Sequence, residues 1–240
     1  MTPATTASAV LGFDCSTPAT AVAVLTREGR LVQRRHDPAP GERPEHGTRL
    51  LGLIEAALDE LPGGWEAVGS LAVGAGPGGF TGLRIALATA RGLALGRGLG
   101  TTAVSSLRAL GEGARADPAA GGAPALVAVI DARRGQAFAA AWRDGEELLA
   151  PVALGPEALA RAVRALGPGA LAVGNGALGF RDALERAGAV VPPAASALHR
   201  LCAGPLCRLA AEDPGPSCEP LVPVYLRPPD VDQTRAAPTT

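Results

Sequence analysis

A glycine-rich stretch is the part of the sequence best suited to bind a ligand. The residues AVGAGPGGFTGLR occupy positions 72–84, so a buried strand leads through five glycines into a helix. Glycine permits positive φ and close backbone approach, and free amides at a helix start can face an anion. The Walker A lysine is missing, so a tight structural turn is favoured over a phosphate-binding loop, with Thr81 as the helix N-cap. The candidate phosphate contacts are Gly76, Gly78, Thr81 and Arg84.

Two aspartates follow buried strands at comparable places in the chain. Asp14 follows the apolar run 9–13 and begins the segment DCST, whereas Asp131 follows the run 125–130 and begins the segment DARR. Such carboxylates could flank a magnesium–nucleotide. The second segment is not rich in glycine or hydroxyl groups, however, and its arginines are expected to be solvated. The candidate nucleotide contacts here are Asp14, Ser16, Thr17, Asp131 and Arg133, with a weaker adenine-binding pattern in VGNG at 173–176.

The patterns typical of a catalytic metal or nucleophile are missing. The three histidines have neither H-x-x-x-H nor H-E-x-x-H spacing, and no G-x-S-x-G elbow occurs. We therefore expect no catalytic residue and no metal site in this chain, and we expect His46 to be an exposed or capping group. The four cysteines contain no C-x-x-C pair and are expected to be reduced and mostly packed: Cys15, Cys202, Cys207 and Cys218.

The two halves of the chain begin with the same order of elements. In each half a buried strand ends in an aspartate and is followed by a hairpin with a glycine in its turn. Aligning Asp14 with Asp131 brings the turn glycines, Gly29 and Gly145, within one residue of each other. A chance likeness between two hairpins is the alternative to an internal duplication. The duplication predicts an α/β fold of two ribonuclease H-like units in a two-lobed, actin-like (ASKHA) arrangement.

The same pattern suggests the domain boundaries. We expect an N-terminal ribonuclease H-like lobe at 1–110, a linker at 111–124, a smaller C-terminal lobe at 125–228 and a flexible tail at 229–240. Beyond the first lobe, helices are expected at 156–166, 178–187 and 195–211.

Two helices of the first lobe carry more apolar surface than one sheet contact needs. Residues 45–61 have a wide apolar face, and residues 82–95 are apolar almost all round and rich in small residues. A helix that is apolar on every side must be covered on every side, so we expect a partner molecule to pack here. The candidate interface residues are Leu50, Leu53, Ile54, Ala57, Leu58, Leu83, Ala86, Leu87 and Ala90.

Composition narrows the class of protein. The 240 residues are 47% hydrophobic and 19% charged, with a net charge of −1, which is typical of a globular protein and not of a stand-alone nucleic-acid binder. Residues 1–9 do not resemble a signal peptide, and no apolar run of about 20 residues could span a bilayer. We therefore expect a cytoplasmic protein that makes no membrane contact.

The motifs together resemble one protein family. GPGGFTGLR at 76–84 is similar to the signature of TsaB proteins, and weaker matches follow the family's chain order: FDCST at 13–17, ATARGLA at 88–94, VSSL at 104–107, IDAR at 130–133 and PVYLR at 223–227. Cys15 stands where the family usually has threonine, and Gly79 where it usually has serine. These two positions therefore cannot supply the family's hydroxyl groups.

The resemblance implies an actin-like fold and a non-catalytic role in threonylcarbamoylation of tRNA adenosine. It implies pairing with the catalytic paralogue TsaD and, through it, with the ATPase TsaE. A homodimer is expected when the chain is alone, with only indirect contact to tRNA. No tightly bound cofactor is expected, although ATP or ADP with magnesium could lie at the interface of the complex. Two alternatives remain open: an actin-like kinase or ATPase acting alone, and a peptidase acting on TsaD.

Overall fold

The first half of the chain forms a five-stranded sheet. The structure, a computed structural model, describes residues 8–39, 41–213 and 221–227. The strands of the first sheet are β1 (Ala9–Asp14), β2 (Thr20–Leu25), β3 (Leu31–His36), β4 (Val68–Gly76) and β5 (Gly100–Ser105). They lie in the order β3-β2-β1-β4-β5. The first three form an antiparallel meander, whereas β4 and β5 run parallel to β1.

The second half repeats this topology in a smaller sheet. Its strands are β6 (Leu126–Asp131), β7 (Ala137–Arg143), β8 (Glu146–Leu154) and β9 (Leu171–Val173), in the order β8-β7-β6-β9. Again the first three are antiparallel, and β9 runs parallel to β6. Since β1 and β6 hold the same place and end in Asp14 and Asp131, the predicted duplication is confirmed. The fold is the two-lobed, actin-like arrangement of two ribonuclease H-like units.

The helices cover both sheets. They are α1 (His46–Leu58), α2 (Phe80–Arg97), α3 (Ser106–Arg115), α4 (Pro156–Ala165), α5 (Asn175–Gly179), α6 (Arg181–Arg186) and α7 (Gly204–Glu212). Helices α1 and α2 pack on one face of the first sheet, and α7 packs on the other. Helix α3 contacts both sheets, and α4 to α6 pack on the second. None of the helices within the described residues is long and apolar enough to cross a bilayer.

The helix pattern differs from the domain boundaries that the sequence suggested. Residues 111–115, which the sequence placed in the linker, are the second half of α3, in which Ala114 is buried in the core and Gly111 lies against Trp142 and Leu126. Helix α7 follows the second sheet in the chain, yet it packs on β1 and β2 of the first lobe. The last described segment, 221–227, also returns to the first lobe. The tail at 229–240 lies outside the described residues.

Segment 221–227 connects the two lobes. Leu221 is buried in the core under α1 and α2, and the amide of Val224 donates to the carbonyl of Ala75 at 2.8 Å. At the other end of the segment, the Arg227 guanidinium donates to Oε1 of Gln136 in the second lobe at 3.1 Å. The segment therefore passes from the end of β4 to the start of β7, beside the space between the lobes.

Candidate functional site

A cleft of about 820 Å³ lies where the loops at the carboxyl ends of β1, β4 and β6 meet. It also receives Asn175, at the start of α5, and residues 224–227. Of the nine residues proposed for a nucleotide cleft, six line this space: Ser16, Thr17, Gly78, Thr81, Asp131 and Arg133. The other three do not: Asp14, Gly76 and Arg84. The cleft is therefore lined by residues from both halves of the duplicated fold, although Asp14 is not among them.

Asp14 is a structural residue beneath the floor of the cleft. Its side chain is 1% exposed. Its Oδ1 accepts the amide hydrogen of Ser16 at 2.6 Å, and its Oδ2 accepts the hydroxyl hydrogen of Ser106 at 2.6 Å. A Cβ on Gly74 would lie 1.8 Å from Oδ2, so the neighbouring strand closes over the carboxylate. Because both oxygens are engaged and covered, Asp14 does not fit the magnesium role that the sequence suggested.

The glycine-rich turn packs directly against the loop that follows β1. A Cβ on Gly78 would lie 2.4 Å from the carbonyl oxygen of Ser16, and one on Gly82 would lie 1.9 Å from that of Cys15. The amide of Gly79 donates to the Ser16 carbonyl at 2.7 Å. These contacts require glycine because any side chain would meet backbone atoms, which cannot rotate away. Of the two interpretations, this packing favours the tight structural turn.

The start of α2 differs from the prediction. The helix begins at Phe80 with Gly79 as its N-cap, and no side chain caps it. Thr81 lies in the first helical turn and is exposed, so it is not the N-cap. The helix begins two residues earlier than expected, and Phe80 at its first position stacks on Tyr225. The amides of the first turn lack carbonyl partners within the helix and lie beside the cleft.

The loop after β6 carries two arginines to the other side of the cleft. Arg133 and Arg134 have φ values of 64° and 50°, which is uncommon for residues with a side chain. Asp131 accepts from the Arg133 amide at 2.8 Å, and its own amide donates to Oδ1 of Asn175 at 3.2 Å. The Arg133 guanidinium lies 3.6 Å from the Asp131 carboxylate, and both side chains are partly exposed. The side chain of Asp131 thus remains in contact with solvent, unlike that of Asp14.

His46 is buried, which corrects the expectation of an exposed or capping group. It is 5% exposed, and its Nδ1 lies 2.8 Å from the hydroxyl of Thr20. Burial lowers the pKa of His46, and the opposing effect of the Asp14 charge is smaller. The ring also lies against Gly82, because a Cβ there would be 3.0 Å from Nε2. His46 therefore positions α1 against the loops of the cleft as a neutral core residue.

Cys15, the cysteine that lines the cleft, is unreactive because it is buried. Cys15 and Cys207 are buried, and Cys202 is half-buried. Burial, with a smaller contribution from the charge of Asp14, raises the pKa of the Cys15 thiol far above its usual range. Cys15 is thus a packing residue and not a nucleophile. Cys218 lies outside the described residues.

Sequence reasoning missed an aromatic group at the mouth of the cleft. Phe80 and Tyr225 stack with ring centroids 5.5 Å apart, and the Arg84 guanidinium lies 3.7 Å from the centre of the Phe80 ring. Phe80 is 41% exposed and Tyr225 is 39% exposed. The sequence signal was weak because these residues are 145 positions apart, although each belongs to a motif on which the family resemblance rests. We call Phe80, Arg84 and Tyr225 the rim platform.

The structure corrects the predicted interface residues. Eight of the nine are buried in the chain's own core: Leu50, Ile54, Ala57, Leu58, Leu83, Ala86, Leu87 and Ala90. Leu53 is partly buried against the same core. They contact β1, β2 and β4 of their own sheet, so they are not available to a partner. Exposed residues of the same helices lie away from this core, and we give the name outer helix face to six of them: Leu51, Gly52, Glu55, Ala88, Gly92 and Leu95.

These features define a class of protein: a two-lobed, actin-like molecule in which one of the paired cleft carboxylates is closed off. Comparison with known proteins identifies the family. The family model described as "TsaD: tRNA N6-adenosine threonylcarbamoyltransferase" matches residues 41–176. The tRNA threonylcarbamoyladenosine biosynthesis protein TsaB of Escherichia coli K12 is 33% identical, and the match covers 91% of this chain and 94% of that protein. TsaB of Haemophilus influenzae is 35% identical over 54% of this chain and 51% of that protein.

A solved structure agrees with this assignment. YeaZ from Pseudomonas aeruginosa superposes with a TM-score of 0.69 at 32% identity, covering 91% of this chain and 100% of that chain. The chain belongs to the TsaB family.

Proposed function

We propose that this chain acts in the biosynthesis of threonylcarbamoyladenosine in tRNA as a non-catalytic, activating subunit. Its partner would be the paralogous transferase TsaD and, through TsaD, the ATPase TsaE. A second copy of the chain would cover the same surface when the partner is missing. Membership of the TsaB family supports a role in this biosynthesis. The outer helix face supports action through a bound partner.

Glycines on the outer helix face carry the argument for a partner. Gly52 lies within α1 and Gly92 within α2, and a Cβ at either position would meet nothing within 4 Å. Glycine inside a helix costs about 1 kcal/mol relative to alanine, and no contact within the described residues offsets that cost. Small residues on an exposed helix face allow a second helix to approach closely. The observation is best explained by a helix pair from another molecule.

Exposed leucines flank these glycines. Leu51 is 54% exposed and Leu95 is 89% exposed, and the two lie on neighbouring helices of one sheet face. Full burial of each leucine by a partner would contribute about 1.5–3 kcal/mol. Two arginines of α2 contact other parts of the chain. Arg91 donates to the carbonyl of Leu221, and the Arg97 guanidinium lies 4.1 Å from the centre of a Trp65 ring. On the outer helix face Glu55 is then the one charged residue, and the other five are small or apolar residues for the partner to cover.

The cleft supports a non-catalytic role. A magnesium–nucleotide between the lobes would need carboxylates from both halves, but the residues do not fit because Asp14 is engaged by Ser16 and Ser106. The described residues contain no group of three metal-ligating side chains. We therefore propose that any ATP or ADP with magnesium lies at the seam with the partner. The blocked carboxylate favours a subunit over an ATPase that acts alone.

The experiment replaces the two exposed leucines, Leu51→Asp with Leu95→Asp, in the full chain. Sedimentation should show loss of the homodimer, and pull-down should show loss of TsaD, while circular dichroism shows an unchanged fold. The matched control is Val190→Asp, because Val190 is 53% exposed in the second lobe. Reconstitution of tRNA modification from purified subunits should fail with the double variant and succeed with the control. Retained dimerisation and retained TsaD binding would refute the assignment.

A further inference from the structure

The rim platform places aromatic rings in contact with solvent. The sequence is only 3% aromatic, yet two of these few rings stand at the mouth of the cleft with about 40% of their surface in solvent. Phe80 and Tyr225 lie close to parallel, with an interplanar angle of 29°, and Arg84 covers Phe80. Stacked aromatic rings beside a guanidinium are the surface on which unpaired nucleic-acid bases stack.

Positively charged side chains line the same cleft as the platform. Arg43, before α1, and Arg133, in the loop after β6, are both exposed and line the same cleft as Phe80 and Tyr225. Among the residues that the structure describes, the lining has four arginines and one carboxylate, Asp131. Although the chain as a whole carries a net charge of −1, this cleft therefore attracts anions.

We propose that the mouth of this cleft binds an unpaired RNA strand, with a base stacked on the rim platform and its phosphates near Arg43 and Arg133. The proposal rests on the proposed function, because it supplies the RNA that such a site would meet. It adds that this chain itself contacts the substrate RNA. The contact is weak and local, in keeping with the small net charge of the chain.

The position of the aromatic rings favours a strand over a free nucleotide. The rings are at the rim, and the floor lacks an available Asp14 carboxylate to bind a magnesium–nucleotide. A strand can stack one base on the rim and continue past the arginines. A peptide of acidic residues alone could meet the arginines but has no ring to stack on Tyr225.

The experiment measures binding of a short, fluorescently labelled unpaired RNA to the full chain by anisotropy at several salt concentrations. Tyr225→Ala and Phe80→Ala should each weaken binding about tenfold, whereas Tyr225→Phe should lose much less, because it keeps the stacking ring and removes only the long 3.4 Å hydrogen bond from Arg84. Arg43→Gln should lower the slope of log K against log salt by about 0.7. Arg161→Gln, an equal charge change at an exposed site on α4, should leave the slope unchanged.

Three competitors test the class of ligand. The same RNA made double-stranded, ADP with magnesium, and polyglutamate should each compete poorly with the labelled strand. Competition by ADP that matches the unpaired RNA would overturn the proposal in favour of a mononucleotide pocket. Displacement by polyglutamate, with Tyr225→Ala binding unchanged, would overturn it in favour of a general anion or peptide site. Equal affinity for the duplex would overturn the role of stacking.

The two proposals fail separately. Leu95 is 15 residues from Phe80 along α2, a distance of about 22 Å, so the pairing variants do not alter the rim platform. If the Leu51 and Leu95 double variant loses TsaD and keeps RNA, both proposals stand. If the double variant still binds TsaD and Tyr225→Ala no longer binds RNA, the pairing assignment is refuted and the RNA proposal stands.

Discussion

The hydroxyl of Ser106 donates to the Asp14 carboxylate at 2.6 Å, which joins the first residue of α3 to the end of β1. This contact takes the aspartate away from the cleft and fixes the helix that lies between the two sheets. In the second half of the chain, the corresponding Asp131 remains partly exposed. The duplicated fold thus keeps one accessible carboxylate and uses the other for structure.

Ser106→Ala should destabilise the chain by about 1–3 kcal/mol, because it leaves one oxygen of a buried carboxylate without a donor. Urea unfolding would measure the change as a lower midpoint with an unchanged m-value. The control is Ser70→Ala, at a half-buried position on β4 with no side-chain hydrogen bond among the described residues. Equal stabilities for the two variants would show that the contact contributes nothing.

Gly82→Ala should destabilise the chain by about 1–3 kcal/mol or more, because the new methyl group would meet the carbonyl of Cys15 and the ring of His46. Gly96→Ala is the matched control, since it lies on the same helix with nothing within 4 Å, and it should be neutral or stabilising. Thermal unfolding followed by circular dichroism distinguishes the two. A Gly82→Ala variant as stable as wild type would remove the packing explanation of the glycine-rich turn.

Local pattern was enough to predict the duplication and most helices. The aspartates at the ends of β1 and β6 and the glycines in the two hairpin turns correctly indicated the repeated unit. Strands β5 and β9 were missed: β5 is only partly buried and begins GTT, and β9 has three residues, so neither shows a clear alternation.

The sequence could not show which side of α1 and α2 faces solvent and which side packs on the chain's own sheet. Periodicity identified the apolar face of α1, with Leu50 and Ile54, but assigned it to a partner when the chain's own sheet covers it. The apolar content of α2 hid the difference between buried Ala86 and exposed Ala88, because alanine suits both environments. The rim platform depends on the return of segment 221–227 to the first lobe, which no local pattern encodes.

Leu221→Ala should destabilise the chain by about 2–5 kcal/mol, because Leu221 is 4% exposed in the core beneath α1 and α2. Its neighbour provides the control, since Val222 is 56% exposed and Val222→Ala should change stability by less than about 0.5 kcal/mol. Limited proteolysis would also show earlier cleavage in the Leu221 variant. Similar stabilities would mean that the segment is held mainly by its backbone contact with Ala75.

Stability should fall as the pH rises above 9, because the thiol of Cys207 is buried and neutral in the folded chain. Burial raises its pKa from 9.0 to about 12. In the window between these values the unfolded chain loses the proton and the folded chain keeps it, so the loss of stability grows with pH. Urea titrations from pH 8 to pH 11 should show a smaller decline for Cys207→Ala than for the wild type. Parallel pH profiles for the two proteins would refute the contribution of Cys207.

Substitutions of Gly92 should change stability and pairing in opposite directions. Gly92→Leu places a better helix former at an exposed position with free space around it, so the isolated chain should gain about 0.5–1 kcal/mol. The same side chain would hold a partner helix away from the outer helix face, so both the homodimer and the complex with TsaD should weaken. Arg161→Leu on α4 is the control, because it adds a leucine at an exposed helical site of the second lobe and should leave pairing unchanged.

Thermal unfolding at low protein concentration measures the gain in stability, and sedimentation with pull-down measures the loss of pairing. A leucine at position 92 that strengthens pairing would mean that the partner makes an ordinary apolar contact there, and that the glycine does not serve close helix approach.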